Sequence, residues 1–220
     1  MIQVNVALSA TGYATTATDP GTAITSTIDS LGSVGIRLDE SPVIVTDIGG
    51  VEASGTNSYA LYGDASQSWQ IGNDRQLSAV GSNSVGITLA ATGTISNGDS
   101  TTATASISGD GAGIAIAGAD AAVTNYGTIS GGQAGVSLAR GGMVANAGMA
   151  AVISSGSSGV YFGVSAAAGG VVTNAPGAII SGQSQAIYMA GSVALSVLNN
   201  GQIAGRYQGP DQGVQFRHRL

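Results

Sequence analysis

The chain has 220 residues, a formal net charge of −6, six Arg, no Lys and no Cys. Without a basic stripe to neutralise phosphates it is not built to bind nucleic acid, and without Cys it has no disulfide framework, thiolate metal site or cysteine nucleophile. Charged residues are 8% and Gly is 36 of the 220, against about 25% and about 7% in ordinary soluble domains. This composition suits neither a typical globular enzyme nor a disordered chain, and favours strands joined by tight turns.

The first residues, MIQVNVALSATGYA, carry no positive charge ahead of their short apolar run and make a poor signal peptide. No stretch approaches the roughly 18 to 20 apolar residues of a membrane helix, so no membrane insertion by this segment is expected. Residues 1–30 are Thr-rich and loosely alternating (TATDPGTAITSTI), and are read as an imperfect first coil or N-terminal cap.

From there a signature of Gly, aliphatic, any residue, aliphatic recurs. It begins at Gly35-Ile36-Arg37-Leu38, with a degenerate copy at Ala60-Leu61-Tyr62-Gly63. It continues at Gly86-Ile87-Thr88-Leu89, Gly113-Ile114-Ala115-Ile116 and Gly135-Val136-Ser137-Leu138. The last copies are Gly159-Val160-Tyr161-Phe162, Ala186-Ile187-Tyr188-Met189 and Gly213-Val214-Gln215-Phe216. The second residues are 25, 26, 27, 22, 24, 27 and 27 apart, a period that means a solenoid or other repeat fold. A second aliphatic precedes several copies by seven residues, in the pairs Val80/Ile87, Ile107/Ile114, Ile129/Val136, Ile153/Val160 and Ile180/Ile187. This spacing predicts strand, tight corner, strand.

Upstream of the later copies lie Val123-Thr-Asn125, Val144-Ala-Asn146, Val172-Thr-Asn174 and Val197-Leu-Asn199, each with a Gly two or three residues further on. Asn and Gly tolerate the positive φ that turns a chain through a corner. In stacked rungs these Asn amides either hydrogen-bond along the stack as a ladder or each serves its own turn. Helices are disfavoured because Gly interrupts every candidate, including Ala112–Ala122 and Ser165–Gly170, at about 1 kcal/mol each.

The expected fold is all-β: a right-handed single-stranded parallel β-helix of about eight rungs of about 25 residues. Residues 31–216 form the repeats and 217–220 a tail. One inward stack is Ile36, Leu61, Ile87, Ile114, Val136, Val160, Ile187 and Val214; the second is Leu38, Leu89, Ile116, Leu138, Phe162, Met189 and Phe216.

The texts VTNYGTISGGQAGVSL (residues 123–138) and VTNAPGAIISGQSQAIYM (residues 172–189) resemble the passenger repeats of bacterial autotransporters, the type V secreted surface proteins. The resemblance is clear from Gly86 to Phe216 and weaker back to Gly35. It implies a structural, adhesive β-helix, a passenger or passenger fragment that mediates adhesion or aggregation. It also implies a cell-surface or secreted location, associated with the outer membrane when joined to a translocator. The family's β-barrel translocator and a signal peptide are not seen in this sequence, so a non-functional remnant of a larger autotransporter is one alternative. Implied partners are a host or neighbouring-cell surface protein or glycan, with self-association through exposed solenoid ends.

The other alternative is a β-helix enzyme acting on polysaccharide, which needs carboxylates gathered in one groove. Asp39-Glu40 are adjacent and so point to opposite faces of a strand, while Arg37, Asp39 and Asp64 meet if neighbouring rungs superimpose. The single His, His218, lies near the end and is a poor triad member. Gly109-Asp110-Gly111 resembles one piece of a calcium nonapeptide but occurs once, and Thr101–Thr104 is not repeated at the coil period. Gly141-Gly142 and Gly169-Gly170 read as rung corners. Tyr161 and Tyr188 occupy equivalent outward positions and are expected to stack. No catalytic residue, cofactor or metal site is assigned, and a non-enzyme is expected.

Overall fold

A computed structural model describes residues 16–17, 22–24, 27–30, 34–38, 41–45, 50–101, 103–163, 169–190, 193–208 and 215–218. Every regular element among them is a strand, and all the strand pairs are parallel. The chain winds as a parallel β-solenoid of about six turns with about 25 residues per turn, so that three strands of each coil lie on three separate faces. Its Gly and β-branched content suits this: small residues let the chain turn, and Val and Ile fill a surface packed on the pleat.

One coil shows the plan. Tyr59–Gly63 lies on the first face, Trp69–Asn73 on the second and Gln76–Val80 on the third. The first face continues through Val85–Leu89, Ala112–Ile116, Ala134–Leu138 and Ser158–Phe162. The second continues through Gly93–Asn97, Ala121–Asn125, Gly142–Asn146, Gly170–Asn174 and Leu195–Asn199. The third continues through Ser106–Gly109, Thr128–Gly131 and Val152–Ser155. The 11-residue strand Ile179–Met189 runs unbroken from the third face onto the first, joining the two into one sheet.

The expected inward stacks form. Ile36, Leu61, Ile87, Ile114, Val136, Val160 and Ile187 pair in succession, each at most 2% exposed. Leu38, Gly63, Leu89, Ile116, Leu138, Phe162 and Met189 form the next column, so the degenerate copy is in register. Burial of each such side chain contributes roughly 1.5–3 kcal/mol, spread along the rod between neighbouring rungs.

The rung count differs slightly from the eight expected, and the last copy is where the ladder departs. The residue opposite Ile187 is Tyr207, from Gln202–Gln208. Phe216 instead pairs with Val197 on the second face, and Val214 lies outside the described residues. Gln202–Gln208, like Ile179–Met189, passes from the third face to the first without a break, so the first-face position is reached before residue 214. The strand Gln215–His218 carries Arg217 and His218, which the sequence places in a tail. At the other end Thr16–Ala17, Thr22–Ile24 and Thr27–Ser30 pair in parallel with the next coil, while residues 1–15 lie outside the described residues.

Val80 is a second correction. The third-face column runs Val51, Leu77, Ile107, Ile129, Ile153 and Ile180, and Val80 is 46% exposed. The spacing from this column to the first face is therefore ten residues in two rungs (Val51/Leu61, Leu77/Ile87) and seven in the next four. The longer corners hold Gly55-Thr56-Asn57-Ser58 and Gly81-Ser82-Asn83-Ser84. In both, Gly and Asn take positive φ (127° and 56°, 123° and 59°), and Ser58 and Ser84 are buried. The short corners turn at once after Gly109, Gly131 and Gly182, where a Cβ would collide with the carbonyl oxygens of Ala112, Ala134 and Gln185. Ala53 and Ala79 stand at that position in the longer corners, and Ser155 in the remaining short one.

Candidate functional site

Inside the second face, six asparagines stack. Asn73 Nδ2 donates to Asn97 Oδ1 at 2.8 Å, Asn97 to Asn125 at 2.8 Å and Asn125 to Asn146 at 2.8 Å. Asn146 donates to Asn174 at 3.0 Å and Asn174 to Asn199 at 2.8 Å. Asn73 through Asn174 are at most 1% exposed. From Asn73 to Asn174 each Nδ2 also faces backbone carbonyls, as Asn125 does with Gly127 (3.0 Å) and Val152 (3.1 Å), so two N–H donors are shared among three acceptors. The ladder is thus a structural spine that cross-links neighbouring rungs. Asn73 and Asn97 escape the sequence reading because the short Asn-x-Gly text is missing there. The aliphatic-x-Asn spacing of Ile71/Asn73 and Ile95/Asn97 is the signal that finds them.

On the outside, the first coil brings two predicted partners together. Arg37 Nη2 donates to Asp64 Oδ2 at 3.1 Å, and the Arg37 guanidinium lies 5.6 Å from the centre of the Tyr62 ring. Tyr62 in turn lies 5.6 Å from Tyr59, centre to centre. Asp39 lies outside the described residues. The Ser66 hydroxyl donates to Asp64, as does the Ser66 N–H at 2.9 Å. These bonds, with the neighbouring Arg37, hold the Asp64 carboxyl below its ordinary value against an opposing desolvation.

Asp74, Asp99, Asp110 and Asp120 are dispersed in corners, and Glu52 lies exposed on a strand. Asp99 accepts the Thr101 N–H and hydroxyl, each at 2.6 Å. Asp110 accepts the Gly81 N–H at 2.7 Å. Among the described residues no three acids or His gather as a metal-binding group. Gly142 and Gly170, read from sequence as corner residues, begin second-face strands, while Gly141 and Gly169 remain in the corners with φ of 90° and 77°.

A concave feature lies on the first face, a groove of about 760 Å³. Two outward columns define it. One runs Tyr59, Val85, Ala112, Ala134, Ser158, Gln185; the other runs Tyr62, Thr88, Ala115, Ser137, Tyr161, Tyr188. Small residues in the middle rungs leave the hollow that larger ones bound. Tyr161 and Tyr188 stack as expected, with ring centres 5.5 Å apart and planes tilted by 36°. The corner side is rimmed by Asn83, Gln133 and Ser157. Gln133 Nε2 donates to Asn83 Oδ1 at 3.3 Å across 50 residues of sequence, passing over Gly111, which has no side chain to intervene. Ser158 Oγ donates to Gln185 Oε1 at 3.1 Å. Sequence inspection found the two tyrosines but not the groove, because its rim comes from corners of unequal length.

The third face presents a column of half-buried serines, Ser78, Ser108, Ser130, Ser154 and Ser181. Ser108 Oγ donates to Ser78 Oγ at 3.3 Å. A smaller hollow of about 300 Å³ lies beside it, between Ser108, Ser130 and Asp110.

Fold and surface together define a parallel β-solenoid with a groove along its first face. No protein-family model matches the chain, nor does any curated protein or solved structure.

Proposed function

We propose that this chain is a structural, adhesive β-solenoid, a passenger or passenger fragment of an autotransporter-like protein, acting at the cell surface or after secretion. The observation that carries this reading is the contrast between its inside and its outside. The inward columns through Ile87, Ile107 and Asn97 repeat Ile, Val, Leu and Asn rung after rung, whereas the outward columns of the first face change from Tyr to Ala to Ser. A constant scaffold with a varied exterior suits recognition along a rod. The groove lining holds no carboxylate, which favours contact over glycoside cleavage, where two carboxyl groups must flank the bond.

Beads coated with the purified chain test this proposal. They should retain bacterial or host cells more than uncoated beads, and the free chain should compete. Equal retention on coated and bare beads across a panel of cell types would sink the adhesive reading. Steady release of reducing ends from a polysaccharide panel would favour the enzyme instead.

A further inference from the structure

We propose that the first-face groove binds a neutral oligosaccharide, laid along the solenoid axis. This rests on the adhesive reading above and names its ligand class and its site. Five strands line the groove, from Val85–Leu89 to Ile179–Met189. At about 4.8 Å per strand step the floor is about 19 Å long, room for several sugar rings in a row.

The chemistry of the lining selects the ligand. Apart from the phenols of Tyr161 and Tyr188, no lining side chain is ionisable, although the whole chain carries −6. Asp110, next to the lining residue Gly111, bounds the other hollow and is engaged by the Gly81 N–H. A charged ligand would find no counter-charge here and would lose its hydration. Asn83, Gln133, Ser137, Ser157 and Gln185 each offer both donors and acceptors, which matches hydroxyl groups that do the same. The stacked Tyr161/Tyr188 pair closes one end with an apolar wall and polar tips, the combination on which sugar C–H faces pack.

Cross-rung pairing accounts for the contact between the two tyrosines but not for the hollow beside them. The hollow exists because Ala112, Ala115 and Ala134 sit in columns that carry Tyr at other rungs. The hydrogen bonds from Gln133 to Asn83 and from Ser158 to Gln185 already hold the amides in place, so less ordering remains on binding. A peptide adding as a strand is disfavoured, since each strand under the groove is hydrogen-bonded to neighbours on both sides and offers no free edge.

The test is calorimetric titration of the full chain with cellotetraose, maltotetraose and N-acetylchitotetraose, with a heparin tetrasaccharide as the charged arm. At least one neutral sugar should bind, with affinity unchanged by added salt. Tyr161→Ala and Tyr188→Ala should each weaken it about tenfold, and Tyr161→Phe should not. Ala115→Trp, which fills the floor from an outward position, should abolish binding while circular dichroism and melting stay native. Three results would overturn the assignment: a folded chain that binds none of the neutral sugars, binding confined to the heparin fragment and lost in salt, or Ala115→Trp binding as before. Cell retention on beads without neutral-sugar binding would remove the groove assignment and leave the adhesive proposal. Sugar binding without cell retention would do the reverse.

Discussion

The indole of Trp69 occupies the space that a side chain at Gly63 would fill: a Cβ on Gly63 would lie 2.7 Å from Trp69 Cε2. Gly63 ends a first-face strand and Trp69 begins the next second-face strand, so they meet across one corner of the core. The same corner in later rungs holds Leu89 with Gly93, Ile116 with Ala121, Leu138 with Gly142 and Phe162 with Gly170. A Cβ on Gly170 would lie 2.8 Å from Phe162 Cζ. In these five rungs a large residue on one side thus faces a small one on the other, as close packing of a fixed cross-section favours, while the next rung holds Met189 with Leu195.

This compensation is testable by a double-mutant cycle. Trp69→Ala should cost about 3–5 kcal/mol through the cavity it leaves, since Trp69 is 2% exposed and its Nε1 donates to the Asp64 carbonyl at 2.8 Å. Gly63→Leu alone should destabilise by overpacking, about 1–3 kcal/mol. The two together should be less harmful than their sum by at least about 1 kcal/mol in urea unfolding. Strict additivity would mean that the two positions do not share the space.

The asparagine spine makes a different prediction. Asn125→Ala removes the acceptor of Asn97 Nδ2 and the donor to Asn146 Oδ1. Each orphaned buried group costs about 1–3 kcal/mol. Asn125→Asp should be worse, because it buries a carboxylate where the lost amide donated to Asn146 and to the Gly127 and Val152 carbonyls. Denaturant midpoints ranked wild type, Ala, Asp would agree; an Asp variant as stable as wild type would not.

Corner length offers a third. Gly131→Ala places a Cβ against the Ala134 carbonyl and should cost about 1–3 kcal/mol, the range for overpacked sites. Ala79→Gly, at the matching position of a longer corner, should cost only about 0.5–1 kcal/mol of backbone entropy. Thermal unfolding that gives the two substitutions equal effects would refute the assignment of Gly to the short corner.

Asp64 sets a pH dependence of known sign. Its carboxyl titrates below the ordinary value of 3.8 in the folded chain. The ionised form therefore stabilises the fold above the unfolded value, and that contribution is lost as pH falls through the folded value. Asp64→Asn should lower the melting temperature slightly at neutral pH and leave it unchanged in strong acid. The part contributed by Arg37, an exposed pair with side chains 52% and 32% accessible, should shrink in salt. A difference that grows on acidification would contradict the sign.

The inward columns were legible because a two-residue side-chain alternation recurring near every 25 residues leaves only stacked strands as a way to bury it. Val80 was misread because counting back seven from Ile87 lands on an aliphatic residue, whereas Leu77 is the one paired with Ile107. Ala53 and Ala79 close the third-face strand before the longer corners, and Gly or Ser155 before the short ones, so corner length follows from contacts between non-neighbouring atoms.

Residues 34–199 thus carry in their own order the stacks, the strand count per coil and the positions of the amide spine. These follow from spacing along one chain. The groove does not: Asn83 and Gln133 meet across 50 residues, and Tyr188 reaches Tyr161 only because the rungs between them are in register. Outward residues answer to neighbours one rung away, and the differing lengths of the corners decide which neighbours those are.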